Sequence, residues 1–445
     1  MVSGETGDGV TAFLGIPYAA SPVGELRFRA PTPHPGWDGV RDASHPGPSA
    51  PQAPSRLAWI MGAREPDWNE DGCLNLNIWV PGGALDDGAR PRPVLVWFHG
   101  GAWVTGSGGW DWYAGDRLAA AGDIIVVTAN YRLGPLGYLW LPEEGADNLG
   151  NRDQAAVLAW VHETIGAFGG DPRAVTVGGQ SAGSYSAMGL ALDPATSGYV
   201  HQVLLQSGPW GAPGRQPGDA AAITAEYLRL LSIRPGEKTG TALRSIPVQD
   251  LLAAVGQLAA LLAKPGDPTA PMQPVLTGAG LPRDWRDAMD AGRLAGKPVL
   301  IGSTTDEMAA FLPPGTPLTA ELSQATAARF GNGVTEIAGD CARRGTPAYA
   351  YRFTRVPAAD PGVGAPHCAD LPFAFDTLGA FAGARMLGDV SPRDRTLARE
   401  FSSAIAAFVA TGAPGADWPI YAPGPAGSAG SAGSAGFAGF VRQIG

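Results

Sequence analysis

Cysteine is scarce: the chain has three, Cys73, Cys341 and Cys368, in 445 residues. None lies in a C-x-x-C pair or at Cys/His spacing, so the sequence offers no metal site, and an odd number gives no disulfide framework. Charge is also sparse, at 16% of residues, and the positive sign is the poorer: 31 Lys and Arg against 41 Asp and Glu leave a formal net charge of −10. A nucleic-acid partner is excluded on that ground, because it needs clustered Lys and Arg. Long apolar runs are missing too. The longest, Leu251 to Ala263, lies between Asp250 and Lys264 and falls short of the about 20 residues of a spanning helix; it predicts a core helix and no membrane partner. No basic stretch followed by an apolar one opens the chain, so no secretory signal is expected.

What the chain does contain is apolar bulk and turns. Hydrophobic residues make up 45%, and there are 64 Gly and 41 Pro. The length would accommodate two or three ordinary domains, but α/β enzymes of this size often form around one sheet, and one domain over 1–445 is the expectation.

The stretch Val175 to Met188, VTVGGQSAGSYSAM, breaks a β-branched run at glycine, presents Ser181 and continues in small residues suited to a helix. It has the form G-x-S-x-G, filled by Gly179, Ser181 and Gly183. A serine on a sharp turn between strand and helix sits in a strained backbone, and the residues two before and two after it must be small for the turn to close. The turn also sets the hydroxyl at a helix N-terminus, where developing negative charge is stabilised. In so glycine-rich a chain the motif alone is weak, and the rest of the sequence must supply a base, an acid and an oxyanion hole.

Asp71 to Pro81 alternates Leu74, Leu76 and Ile78 with Asn75 and Asn77, as a half-buried strand should. Val94 to Phe98 is an unbroken apolar run of the kind buried on both faces of a parallel sheet. It leads into HGGAW, His99 to Trp103, whose glycines let two backbone amides approach a bound oxygen. Ile124 to Ala129, Val203 to Gln206, Pro298 to Gly302 and Tyr349 to Phe353 predict further strands, the last closing the sheet. Asn148 to Phe168 predicts a helix stopped by Gly169 and Gly170. Strand and helix in alternation describe an α/β chain with a mostly parallel sheet flanked by helices. The opening FLGIPYA and GELRFRAP, with the Pro-rich tract through Pro54, predict irregular surface structure. Residues 209–295 predict a helical insertion beside the sheet, with helices Asp219 to Ser232 and Gln249 to Ala263. Residues 424–439, containing GSAGSAGSAG, predict a flexible segment.

In such folds ligands sit at the carboxyl ends of the strands, and a hydrolase triad arrives in the order serine, acid, histidine. Only His367 of the six histidines follows residue 201, so a base for Ser181 must be His367. The acid should follow the strand ending at Gly302, where Asp306 and Glu307 both qualify. Asp370, three residues past the histidine, is better placed to brace its loop.

Taken together, FLGIPYA, LNLNIWVP, HGGAW, NYRLGPLGYL, DQAAVLAWV, FGGDPRAVTVGGQSAG, LLQSG, TTDE, the His367 segment and FVATGAPGADWPIY resemble the type B carboxylesterases, the α/β-hydrolase family that includes the cholinesterases. The resemblance implies Ser181 as nucleophile, Glu307 as acid, His367 as base, and the amides of Gly101, Ala102 and Ala182 as the oxyanion hole. It implies a small-molecule carboxylic ester as substrate and no metal or organic cofactor. Trp103, Trp110, Trp112 and Tyr113 stand where they either line the substrate pocket or pack in the core. Arg27 with Asp71, and Arg132 with Asp153, resemble the family's structural ion pairs, His99 a support of the oxyanion loop, and Ser207 a buried polar support. Where the family commonly reads GESAG this chain has Gln180, which points to neutral rather than choline esters. Ala50 stands at the family's first disulfide position, leaving Cys73 unpaired and favouring a reducing, cytoplasmic setting. Cys368 occupies a position usually held by glycine and is expected to be a packed thiol. A lactonase, thioesterase or acyl transferase would use the same residues; a non-catalytic adhesion protein would be expected to have lost one of them.

Overall fold

Every second residue of Val94 to Phe98 faces the opposite side of a sheet, and both sides are buried: Val94, Val96 and Phe98 join one apolar core, Leu95 and Trp97 the other. That is the burial a continuous apolar strand requires. The computed structural model describes residues 1–65, 67–234, 236, 238–264, 267–423 and 441–445. Its main sheet contains Glu5–Gly7 (β1), Val10–Pro17 (β2), Asn75–Pro81 (β3), Arg92–Phe98 (β4), Ile125–Ala129 (β5), Gly170–Gln180 (β6), Gln202–Gln206 (β7), Val299–Thr304 (β8), Ala348–Phe353 (β9) and Arg442–Ile444 (β10). The order across it is β10-β9-β8-β7-β6-β4-β5-β3-β2-β1. Every neighbouring pair from β10 to β5 is parallel, and β1 to β3 form an antiparallel edge. Chain progress reverses direction between β4 and β6, so the crevice at their carboxyl ends is the place where such sheets bind ligands.

Helix Leu149–Thr164 (α1) runs into a short 3₁₀ turn that Gly169 ends in the left-handed conformation. Ala182–Leu192 (α2) follows β6 directly and is buried along its whole length. Between β7 and β8 lie Pro217–Leu230 (α3), Thr239–Ser245 (α4), Val248–Leu262 (α5) and Trp285–Asp290 (α6). Asn332–Arg343 (α7) precedes β9. Pro392–Thr411 (α8) packs Phe401, Ile405 and Phe408 on the second face, opened by a Ser391/Asp394 capping box and closed by Gly412 at φ 82°. Among the described residues no single helix is long and apolar enough to cross a membrane.

The structure corrects four expectations. The alternating strand is not half-buried: all of β3 is buried, and its polar positions are satisfied internally. Asn77 accepts from the Gly15 amide at 3.0 Å and donates to the Gly108 carbonyl at 3.2 Å, while Asn75 donates to the Pro48 and Gly72 carbonyls at 2.9 Å. The opening is not all irregular, since β2 pairs with β3 across a register shift between Phe13 and Ile16, where Gly15 at φ +67° provides the bulge. Tyr349 to Phe353 does not close the sheet, because β10 pairs with β9 outside it. Arg27 pairs with Glu70 and not with Asp71, which accepts a hydrogen bond from Ser21 instead. The Arg132–Asp153 pair forms as a buried bidentate bridge, with contacts of 2.8 and 2.6 Å. The segment 424–439 lies outside the described residues.

Candidate active site

At the end of β6 the chain turns sharply, and Ser181 takes φ 56° and ψ −119° before α2 begins at Ala182. The turn is held from both sides: the Ser181 amide donates to the Gln206 carbonyl at 2.8 Å, and the Tyr185 amide to the Ser181 carbonyl at 3.0 Å. A β-carbon on Gly183 would lie 2.0 Å from the Phe98 carbonyl oxygen, and one on Gly179 would lie 2.4 Å from the Gly183 carbonyl carbon. The start of α2 is therefore pressed against the end of β4, which is why the positions flanking the serine must be glycine.

Just beyond β4, Gly101, Ala102 and Trp103 all have positive φ, at 113°, 54° and 60°. Two of them are not glycine, a strain of about 1–3 kcal/mol each that persists only where the surroundings impose it. His99 supplies part of that constraint. Its Nδ1 donates to the Gly100 carbonyl at 2.8 Å, its ring stacks on Tyr131 at 4.5 Å, and the Tyr131 hydroxyl donates to the His99 carbonyl. Burial pushes the His99 imidazole down to about 4, so it is neutral. Among the described residues the amides of Gly101, Ala102 and Ala182 donate to no protein acceptor.

From the end of β8 the structure brings Glu307 against His367. Glu307 Oε2 meets His367 Nδ1, its Oε1 accepts from the Thr304 amide at 2.8 Å, and its carbonyl accepts from the His367 amide at 3.3 Å. Asp306 does not reach the imidazole. It exchanges hydrogen bonds with the Ala365 backbone at 2.9 Å in both directions, pinning the histidine loop. Asp370 accepts from the Tyr351 hydroxyl at 2.8 Å, and its carboxyl is raised to about 7 by burial and by Glu307 nearby.

The other ring nitrogen, His367 Nε2, receives the Gln180 amide nitrogen at 3.1 Å. The Glu307 carboxylate accepts from Nδ1, so Nδ1 carries a proton in either charge state and Nε2 is the nitrogen left to exchange one. Burial alone would depress the imidazole; the Cys368 sulfur and the Glu307 carboxylate outweigh it and hold His367 above the usual histidine value. Ser181 Oγ makes no hydrogen bond among the described residues, though Ser181 and His367 line one cavity. Cys368 is a buried free thiol at φ 74° that accepts from Gln180 at 3.2 Å. Ser207 is buried, with no partner for its hydroxyl among the described residues.

Two cavities meet at Ser181 and Ala102. Trp103, Tyr185 and Phe330 wall the first; Trp110, Trp112 and Tyr113 wall the second. Trp103 is fixed by its indole N–H on Ser186 at 3.2 Å, and Trp112 by stacking on Phe381 at 5.0 Å. Among the described residues no group of three or more His, Cys, Asp or Glu is arranged to hold a metal ion.

Comparison with known proteins matches this arrangement to a family. The model of the carboxylesterase family covers residues 1–325 and 319–427. The chain belongs to the carboxylesterase family. Among its relatives is the para-nitrobenzyl esterase of Bacillus subtilis, 36% identical over 94% of this chain and 91% of that protein. Another is the phenmedipham hydrolase of Pseudarthrobacter oxydans, 35% identical over 93% and 90%. A solved structure of a PNB esterase superposes with a TM-score of 0.84 at 33% identity, covering 94% and 91%. A Geobacillus stearothermophilus carboxylesterase does so at 0.80 and 35%, covering 94% and 92%. The esterase thus has the α/β-hydrolase fold, and it hydrolyses carboxylic esters.

Four residues of the esterase's cavities have no mark in the sequence: Arg56, Phe311, Arg329 and Phe330. Phe311 and Phe330 both lie against His367, each ring 5.1 Å from the imidazole, and they face each other at 6.4 Å. They come from the turn after Glu307 and from the helical segment leading into α7. For Phe311 the signal was an aromatic residue four positions past Glu307, which a core would equally explain.

Proposed function

We propose that Ser181, His367 and Glu307 are the nucleophile, base and acid of this carboxylesterase, and that the amides of Gly101, Ala102 and Ala182 hold the oxyanion. The observation that supports it most is that Glu307 Oε2 meets His367 Nδ1 while His367 and Ser181 line one cavity. His367 takes the Ser181 proton as Oγ attacks the ester carbonyl. Negative charge then gathers on the carbonyl oxygen, where three unspent amides can meet it without reorganisation. His367 returns the proton to the departing alcohol, and water repeats the sequence on the acyl-enzyme. Glu307 keeps the proton on Nδ1 and stabilises the imidazolium that forms.

With an amide at Gln180, no carboxylate stands immediately before the nucleophile to attract a cationic alcohol, which speaks for esters without a cationic group as substrates. We read 1–445 as one catalytic domain in which described residues of the stretch 209–295, among them Pro209, Ala212 and Gln273, wall the first cavity. A fluorophosphonate probe tests the assignment. It should label Ser181, and Ser181→Ala should abolish both labelling and ester turnover; labelling elsewhere with turnover intact would refute it.

A further inference from the structure

The first cavity is apolar around Ser181 but basic at its mouth. Arg56 and Arg329 both line it, and Arg215 lies in the open groove that continues past Arg329. The acids facing them are few. Asp267 is 3.7 Å from Arg329, and Asp219 lies along the groove by Arg215. Lys264 also acts on Asp267, so three arginines and a lysine face two aspartates in a chain whose formal net charge is −10.

These guanidinium groups hold donors in reserve. Among the described residues Arg56 donates one side-chain hydrogen bond, to the Pro268 carbonyl, and its head sits 5.9 Å from the Phe311 ring centroid. Arg329 likewise donates one, to the Thr269 hydroxyl at 3.0 Å. Partial burial destabilises the Arg329 charge, and Arg56, which is exposed, feels the repulsion of Arg329. An anion between them would relieve both, and a guanidinium presents a planar fork that fits a carboxylate.

We propose that Arg56 and Arg329 are specificity-determining residues that make the enzyme prefer esters carrying a second, negatively charged group, a carboxylate, on the part lodged between Trp103 and Phe330. Neutral esters are turned over as well; the arginines add affinity for the anion. The first cavity is open beyond Arg329, so the free carboxylate reaches the basic mouth while the ester carbonyl stays at Ser181. The inference rests on the carboxylesterase reading of the site and extends its substrate class.

Two matched substrate pairs test it, one for each side of the ester. The 4-nitrophenyl half ester of adipic acid is compared with its uncharged amide analogue, and the acetate of 4-hydroxyphenylacetic acid with that of the corresponding amide. Wild-type kcat/KM should favour the charged member of at least one pair by about tenfold at low ionic strength, chiefly through KM, because a basic cleft concentrates anions. At about 0.5 M salt the preference should shrink several-fold. It should fall to about unity in the Arg56→Gln/Arg329→Gln double variant and be largely kept in Arg329→Lys. A wild-type ratio at or below one in both pairs, or a preference that survives in the double variant, would overturn the proposal. Failure of the wild type to hydrolyse any of the four substrates would instead count against the catalytic assignment, so the two outcomes are distinct.

Discussion

Replacing Gln180 with glutamate puts a carboxylate where an amide now donates to His367 Nε2 across 3.1 Å. Unit charges about 4 Å apart at an effective dielectric of about 20 attract by about 4 kcal/mol, equivalent to about 3 pH units. Two effects subtract from that. Gln180 is 1% exposed, so the new carboxylate is poorly hydrated; Glu307, on the far side of the same imidazole, repels it. A shift of about 1–2 units remains, within the range seen for neighbouring opposite charges. The sign follows from which form the anion favours: it stabilises the imidazolium, so the His367 value rises. A general base must be unprotonated, so the acid limb of kcat/KM against pH should move to higher pH by that amount. The assay is the pH profile of kcat/KM for a neutral aryl acetate in both proteins, with folding checked by circular dichroism. An acid limb that stays in place or moves to lower pH would refute the claim that position 180 faces the base in the working enzyme.

Three further outcomes follow from the geometry. Glu307→Gln should lower kcat by about 10³-fold or more, because an amide cannot keep the imidazole in its tautomer. Asp306→Asn should cost less than about tenfold, since the asparagine oxygen still accepts from Ala365; steady-state kinetics of both variants decide between the two acids. Arg132→Ala leaves Asp153 buried without its partner and should cost about 3–5 kcal/mol, read as a lowered urea midpoint with the slope unchanged.

Features that local chain geometry dictates were legible in the sequence. The turn at Ser181 shows in its flanking glycines, and the oxyanion loop in two glycines after a buried strand. Features that depend on which distant residue comes near were not. Asp306 and Glu307 occupy one loop; chain geometry left both open and the family resemblance alone pointed to Glu307, the one that His367, sixty positions on, approaches. Glu70 and Asp71 are neighbours, and the motif pointed to the wrong one as the partner of Arg27. Asn75 and Asn77 look like a solvent-facing row because composition cannot distinguish water from the Pro48, Gly72 and Gly108 carbonyls that replace it. β10 has three residues, too few for any periodicity. In α7 the spacing of Val334, Ile337, Ala338 and Cys341 was available, but Gly333 and Gly339 obscure it. Arg56 and Arg329 meet at the cavity from segments far apart in the chain, and neither has a local signature.

The contact of Gly183 with the end of β4 also divides the enzyme by rigidity. Ser181 and the oxyanion loop belong to the tightly packed ends of β4 and β6, with no space for either to shift without the other. The walls that choose the substrate are different: Arg56, Pro268 and Arg329 stand on connecting segments and on a helix outside the sheet. Local opening claims such segments first, while the central strands yield only when the whole molecule does. As denaturant or heat rises, selectivity among esters is therefore the first property to go, and turnover of the simplest ester the last.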